Sequence, residues 1–175
     1  VLPLPAQPRQ LRLDHIGIAV ADAAAATAFY RECLGLQVAH VEPVASQQVR
    51  AHFLPAGDCL LELLEATAPS SPIAKFLEKR GPGLHHVALA VDDIHGALAE
   101  LKAAGVRLID ETPRPGAEGA LVAFLHPSAA QGVLVELKQP ALGARAGHTP
   151  TVPLFRGPDR IAFGSPVGAA VPVVA

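Results

Sequence analysis

Residues 11–138 alternate apolar with polar or small positions in a pattern that occurs twice. Leu13-Asp14-His15-Ile16-Gly17-Ile18-Ala19-Val20-Ala21-Asp22 matches Leu84-His85-His86-Val87-Ala88-Leu89-Ala90-Val91-Asp92-Asp93, 71 residues further on. Each copy has the period of two expected of a strand and ends at an Asp suited to capping a helix. Alanine-rich helical segments follow, residues 23–34 and 94–104, and each stops at a glycine, Gly35 or Gly105, as a left-handed C-terminal position favours. Further strands are predicted at 37–41, 49–54 and 60–64 in the first half, and at 107–110, 120–125 and 132–137 in the second. Pro55-Ala56-Gly57-Asp58 is a turn that makes 49–64 a hairpin. Residues 70–80 read as a linking helix with Pro72 in its first turn. The pattern predicts an α+β fold of two tandem βαβββ modules, 11–66 and 83–138.

Strand parity then points to chemistry. His15 shares a face with Gly17 and Ala19, and His86 shares one with Ala88 and Ala90, while the bulky aliphatics take the other face. Small residues beside a histidine leave room for a cavity, and the same arrangement in both copies argues against an incidental core histidine. The last strand of each half embeds one carboxylate in apolar sequence, Leu60-Leu61-Glu62-Leu63-Leu64 and Val133-Leu134-Val135-Glu136-Leu137. A buried carboxylate must be paired or metal-bound, because leaving it bare costs several kcal/mol, on the order of a lost buried charge partner. Each half therefore contributes one His and one Glu, and pseudo-twofold packing of the halves would bring His15, Glu62, His86 and Glu136 together. A donor set of imidazole and carboxylate without thiolate suits Co, Mn, Ni, Fe or Zn in an open site.

Composition narrows the picture further. Half the residues are hydrophobic, 17% are charged and the formal net charge is −2. That balance leaves no basic run to neutralise a row of phosphates, so nucleic acid is excluded as a partner. Lys75, Lys79 and Arg80 read as a solvated helix face, and Cys33 and Cys59 lack any zinc-site or redox spacing. No stretch is long and apolar enough for a membrane span, and Arg9, Arg12 and Asp14 interrupt the N-terminal apolar residues before a signal-peptide core forms. A cytoplasmic protein without membrane association is expected. Nine of the 17 prolines fall in 1–10 and 139–175, marking an N-terminal flank and a C-terminal extension of unassigned role around the 11–138 body.

The repeat, Ser71-Pro72-Ile73-Ala74-Lys75-Phe76-Leu77, Gly83-Leu84-His85-His86-Val87, Phe124-Leu125-His126-Pro127 and Gly132-Val133-Leu134-Val135-Glu136-Leu137 together resemble the vicinal oxygen chelate (glyoxalase) superfamily and, within it, the methylmalonyl-CoA epimerases. The resemblance covers residues 11–138. It implies a curved sheet around a divalent metal, with Co2+ first and Mn2+, Ni2+ and Zn2+ as alternatives, held by His15, Glu62, His86 and Glu136. It implies an acyl-CoA substrate, a 1,1-proton transfer between (2R)- and (2S)-methylmalonyl-CoA through a stabilised enolate, and a homodimer. Glu136 is the candidate for one acid–base group. Some epimerases carry a second Glu at the position of Ala51, so Glu62 is the candidate for the other, ranked above His52, which parity points away. Parity also turns His85 to the face opposite His86, and His126 is expected to cap the loop that follows it. Ala120 stands where relatives often have Lys or Arg. A lactoylglutathione lyase and a non-catalytic binding module of the same fold remain as alternatives; retention of all four ligands speaks against the module and against an extradiol dioxygenase.

Overall fold

The structure is a computed structural model that describes residues 11–141. Its elements run β1 (Arg12–Val20), α1 (Ala23–Leu34), β2 (His40–Val44), β3 (Val49–Ala56), β4 (Cys59–Ala66), α2 (Pro72–Arg80), β5 (Gly83–Ala90), α3 (Ile94–Ala103), β6 (Arg114–Pro115), β7 (Leu121–Leu125) and β8 (Val135–Gln139). The flanks 1–10 and 142–175 lie outside the described residues. None of the helices is long and apolar enough to cross a membrane.

All eight strands join one mixed sheet in the order β2-β3-β4-β1-β5-β8-β7-β6. The order is a mirror: each module contributes four strands, and its first strand meets its counterpart at the centre. β1 and β5 are antiparallel there, while β1·β4 and β5·β8 are parallel. Side chains from every one of the eight strands line a single cavity, so the sheet curls around it.

Local chemistry explains the boundaries. The Asp22 carboxylate accepts from the Ala25 amide at 3.0 Å and Asp93 does the same for Gly96 at 3.0 Å, so both crossover helices start where the repeat places them. Gly35 ends α1 at φ 72°, a conformation costly for a residue with a Cβ. β3 and β4 form a two-residue hairpin around Gly57-Asp58, longer on both sides than the expected turn. α1 and α3 cover the outer face over Val20, Ala23, Leu54 and Leu63 on one side and Ile94, Leu98, Ala123 and Leu137 on the other. α2 packs on the inner face instead, with Ile73 against Ala19, Phe53 and Leu64.

Three predicted strands are displaced. The stretch 37–41 does not pair as a unit, because Leu36 and Val38 pack beneath α1 with Tyr30; the edge strand begins at His40 and tolerates Pro43 there. The stretch 107–110 makes only a bridge from Leu108 to Leu125. The Asp110 carboxylate takes the Phe124 amide at 2.9 Å, replacing a backbone acceptor, and Arg114–Pro115 becomes the edge strand. Residues 127–133 close on themselves through Gly132 N–H to Pro127 O and Val133 N–H to Ala130 O, so the last strand starts at Val135 and extends to Gln139.

The linking helix α2 starts on Ser71, whose fully buried hydroxyl accepts from the Ile73 amide at 3.2 Å. Ser71→Ala is expected to lower stability by about 1 kcal/mol, the usual worth of such a cap. Urea unfolding would read this as a lower midpoint at unchanged slope, and an unchanged midpoint would remove the cap from the account.

Candidate metal centre

The central strand pair converts sequence parity into a site. Gly17 pairs with both Glu62 on β4 and His86 on β5, while Ala88 pairs with both His15 on β1 and Glu136 on β8. Beyond the glutamates lie Phe53 and Phe124. Two rows thus cross the sheet in opposite directions, Phe53–Glu62–Gly17–His86 and Phe124–Glu136–Ala88–His15. Each sets Phe, Glu, a small residue and His on neighbouring strands, about 4.8 Å apart.

The small residues make room for rings rather than for empty space. A Cβ on Gly17 would lie 2.2 Å from Cε1 of His86. The two imidazoles consequently meet edge-to-face, with Nε2 to Nε2 at 3.0 Å. Glu62 Oε2 lies 3.2 Å from His15 Nε2 and 3.6 Å from His86 Nε2, and Glu136 Oε2 lies 3.6 Å from His86 Nε2. All four side chains are buried. His15, His86 and Glu136 offer ligand atoms within 4.8 Å of one another, a grouping that could hold a metal ion. Glu62 stands against both imidazoles from the other row.

A model of the Glyoxalase/Bleomycin resistance protein/Dioxygenase superfamily matches residues 14–124. The chain belongs to this superfamily. Within it, the chain is similar to the mitochondrial methylmalonyl-CoA epimerase of Homo sapiens, at 43% identity over 129 residues, 73% of this chain and 73% of the relative. It is 42% identical over 130 residues to an ethylmalonyl-CoA/methylmalonyl-CoA epimerase of Cereibacter sphaeroides, covering 73% of this chain and 97% of that one. Among solved structures, a methylmalonyl-CoA epimerase in complex with methylmalonyl-CoA and NH4+ superposes with a TM-score of 0.72 at 40% identity, over 74% of this chain and 94% of that one. The fold of this superfamily accounts for the mirrored strand order and for the cavity between the modules.

The buried side chains of the cluster shift one another's protonation. Burial alone would lower the pKa of His15, but its hydrogen bonds to Asp14 and Glu62, and the charge of Glu136, hold it up to about 10. His86 is held well below its ordinary value, by burial and then by the positive His15 and by His85. Burial raises Glu136 to about 7, with the charge of Glu62 adding to it.

Parity misplaced one residue and missed three. His85 lines the same cavity as His86, contrary to the face assigned to it, and its Nδ1 lies 2.9 Å from His86 Nδ1. The reason is a shift in the β1·β5 ladder: Gly17 pairs with His86 but Ile18 with Leu84, leaving His85 unopposed, and such a bulge breaks strict alternation. Asp14, Lys138 and Glu118 complete the surroundings of His15. Asp14 Oδ1 bonds His15 Nδ1 at 2.8 Å and Lys138 Nζ at 2.7 Å, and Lys138, only 5% exposed, also pairs with Glu118 at 3.0 Å. Burial would raise Asp14, yet those two cationic partners bring it to about 2. The available signal was Lys138 two residues beyond Glu136, a cation on the face of a buried strand. Ala51 is fully buried among Val49, Phe53, Leu64 and Ile73 and contributes no group to the cavity. His52 stays off the cavity, and His126 caps the following turn by accepting from the Ser128 amide at 3.1 Å.

Gly17→Ala tests the packing of the rows. The added methyl must push the His86 ring from its place, so stability is expected to fall by about 1–3 kcal/mol, the usual cost of overpacking. Denaturant titration measures it, and a stability equal to wild type would mean that the ring yields freely.

Proposed function

We propose that the chain is an epimerase that interconverts (2R)- and (2S)-methylmalonyl-CoA by a 1,1-proton transfer, with a divalent cation held by His15, Glu62, His86 and Glu136. The observation that carries this reading is the convergence of those four buried side chains in one cavity of a chain about 40% identical to methylmalonyl-CoA epimerases. The donor set fits a cation. Two imidazole Nε2 atoms stand 3.0 Å apart, and the Glu62 and Glu136 Oε2 atoms each lie 3.6 Å from His86 Nε2, a nitrogen and oxygen set that suits a divalent cation. Cobalt, homodimeric assembly and a cytoplasmic location belong to the same proposal, and the domain reading, 11–138 as the working unit, goes with it.

The proton between a thioester and a carboxylate is weakly acidic, and removing it drives charge onto the thioester oxygen. When bound, the cation supplies the fixed positive charge that stabilises this developing enolate. Inversion needs a proton taken from one face of the carbon and returned to the other, hence two acid–base groups. Glu136 serves as one of them: it is buried on β8 with Oε2 3.6 Å from His86 Nε2, inside the cavity that would hold the substrate. Glu62 serves as the other. It belongs to the opposite row, on β4 rather than β8, and so flanks the centre from the other module. In this chain Glu62 supplies the carboxylate that Ala51 does not. Phe53, Phe124, Val44 and Ile73 give the cavity an apolar wall beside the four polar side chains.

Metal-reconstituted protein is expected to wash solvent deuterium into the α-position of methylmalonyl-CoA, and Glu136→Gln with verified metal content to slow this by at least about 100-fold, the usual worth of a general acid–base group. Full metal loading without exchange overturns the epimerase reading, and unchanged exchange in the variant overturns the role of Glu136. Running ethylmalonyl-CoA and the methylglyoxal–glutathione hemithioacetal alongside fixes the substrate. Because the cation binds only the folded site, at 100 times its Kd it is expected to add about 2.7 kcal/mol, raising Tm by roughly 10 °C. Calorimetry before and after chelation checks this, and a Tm indifferent to chelator would count against metal binding.

A further inference from the structure

The β1·β5 ladder contains two irregularities, and each falls immediately before a histidine of the metal centre. Leu13 pairs with Leu89 and His15 with Ala88, so Asp14 is the extra residue on β1. Gly17 pairs with His86 and Ile18 with Leu84, so His85 is the extra residue on β5. A bulge of this kind sets two successive side chains against a single partner residue and re-aims the first. Both re-aimed side chains reach the same atom of the next ring. Asp14 Oδ1 is 2.8 Å from His15 Nδ1, and His85 Nδ1 is 2.9 Å from His86 Nδ1.

We infer that Asp14 and His85 are positioning residues for the metal, each holding its neighbouring histidine by Nδ1 so that Nε2 points at the centre, and that the paired bulges exist to place them. This rests on the metal reading proposed above. The tautomers are consistent around the circuit. With a cation on the two Nε2 atoms each ring would carry its proton on Nδ1, which His15 would donate to Asp14 Oδ1 and His86 to His85 Nδ1.

The two supports are chemically unlike, which makes the two imidazoles inequivalent in an otherwise mirrored site. Asp14 is a carboxylate whose charge is fixed by Lys138 Nζ at 2.7 Å, itself tied to Glu118 at 3.0 Å. The Glu118 amide in turn donates to the Glu42 carboxylate of β2 at 3.0 Å. His85 is an imidazole that faces His86 through Nδ1 and is held edge-on by Phe76 of α2 with centroids 5.0 Å apart. A carboxylate behind an imidazole raises its donor strength, whereas a neutral ring mainly orients it. His15 is therefore the firmer ligand and His86 the weaker one.

Co2+ titration of the full-length protein, read by visible absorbance and by competition with a chelator, tests the assignment. Asp14→Ala is paired with Lys138→Met, so that no ammonium is left buried without its carboxylate. The double variant is expected to weaken Co2+ binding by about 10–100-fold and to change the ligand-field bands. His85→Ala should lose less, about 10-fold, and His85→Asn, which keeps an acceptor near Nδ1, should recover most of that loss. Near-UV circular dichroism identifies folded variants; if the double variant does not fold, the comparison of His85→Ala with His85→Asn decides. Wild-type Kd and spectrum in the alanine variants would overturn the inference while leaving the metal reading intact. So would an asparagine variant as weak as the alanine one. Wild-type protein that takes up no Co2+ overturns the metal reading and this inference with it.

Discussion

Everything in the site depends on one strand pairing, the antiparallel ladder between β1 and β5. It is the only ladder that joins the two modules through their first strands, and its register decides which residues become neighbours across the centre. Gly17 opposite His86 and Ala88 opposite His15 produce two rows that run in opposite directions. Because side chains alternate along a strand, a register error of one residue would send both histidines to the helix-covered face. The aliphatic outer face prevents that slip, since Ile16, Ile18, Val87 and Leu89 would then be turned into the cavity. The same period of two that secures burial thus secures the convergence of the four side chains.

Much of this was legible from the chain. The duplication, the capping aspartates, the glycine stops and the four residues of the centre all follow from a period of two interrupted at fixed places. What escaped was wherever a side chain competes with the backbone or a ladder loses its period. Asp110 took a backbone donor and dissolved the expected strand at 107–110. The bulge at His85 turned a ring to the side that alternation denies it. Lys138 and Asp14 belong together only after folding, since 124 residues separate them and nothing local in either segment announces the pair.

The charges of the centre form a layered arrangement. Outermost stands Glu118, then Lys138, then Asp14, then the His15 ring, then the carboxylates of Glu62 and Glu136 around the point where the donors meet. Signs alternate along that line, which is how a body with so few charged residues can bury Lys138, His15, Glu62 and Glu136. Ala51 fills its space with a methyl among Val49, Phe53 and Leu64, and the carboxylate on the adjoining strand β4 is Glu62.

The line also ends far from where it begins. From Glu118 it continues through the Glu42 carboxylate and the His40 ring into the edge strand β2, while Glu118 itself belongs to the second module, near the opposite edge of the sheet. The two ends of an open eight-stranded sheet are therefore tied to each other across its mouth. For the growing polypeptide this imposes an order of events. The first module, synthesised alone, would carry His15 without a partner ring, Asp14 without its ammonium and an untied edge. Its site is complete only when the last strand arrives, because His86, Glu136 and Lys138 all come from the second module.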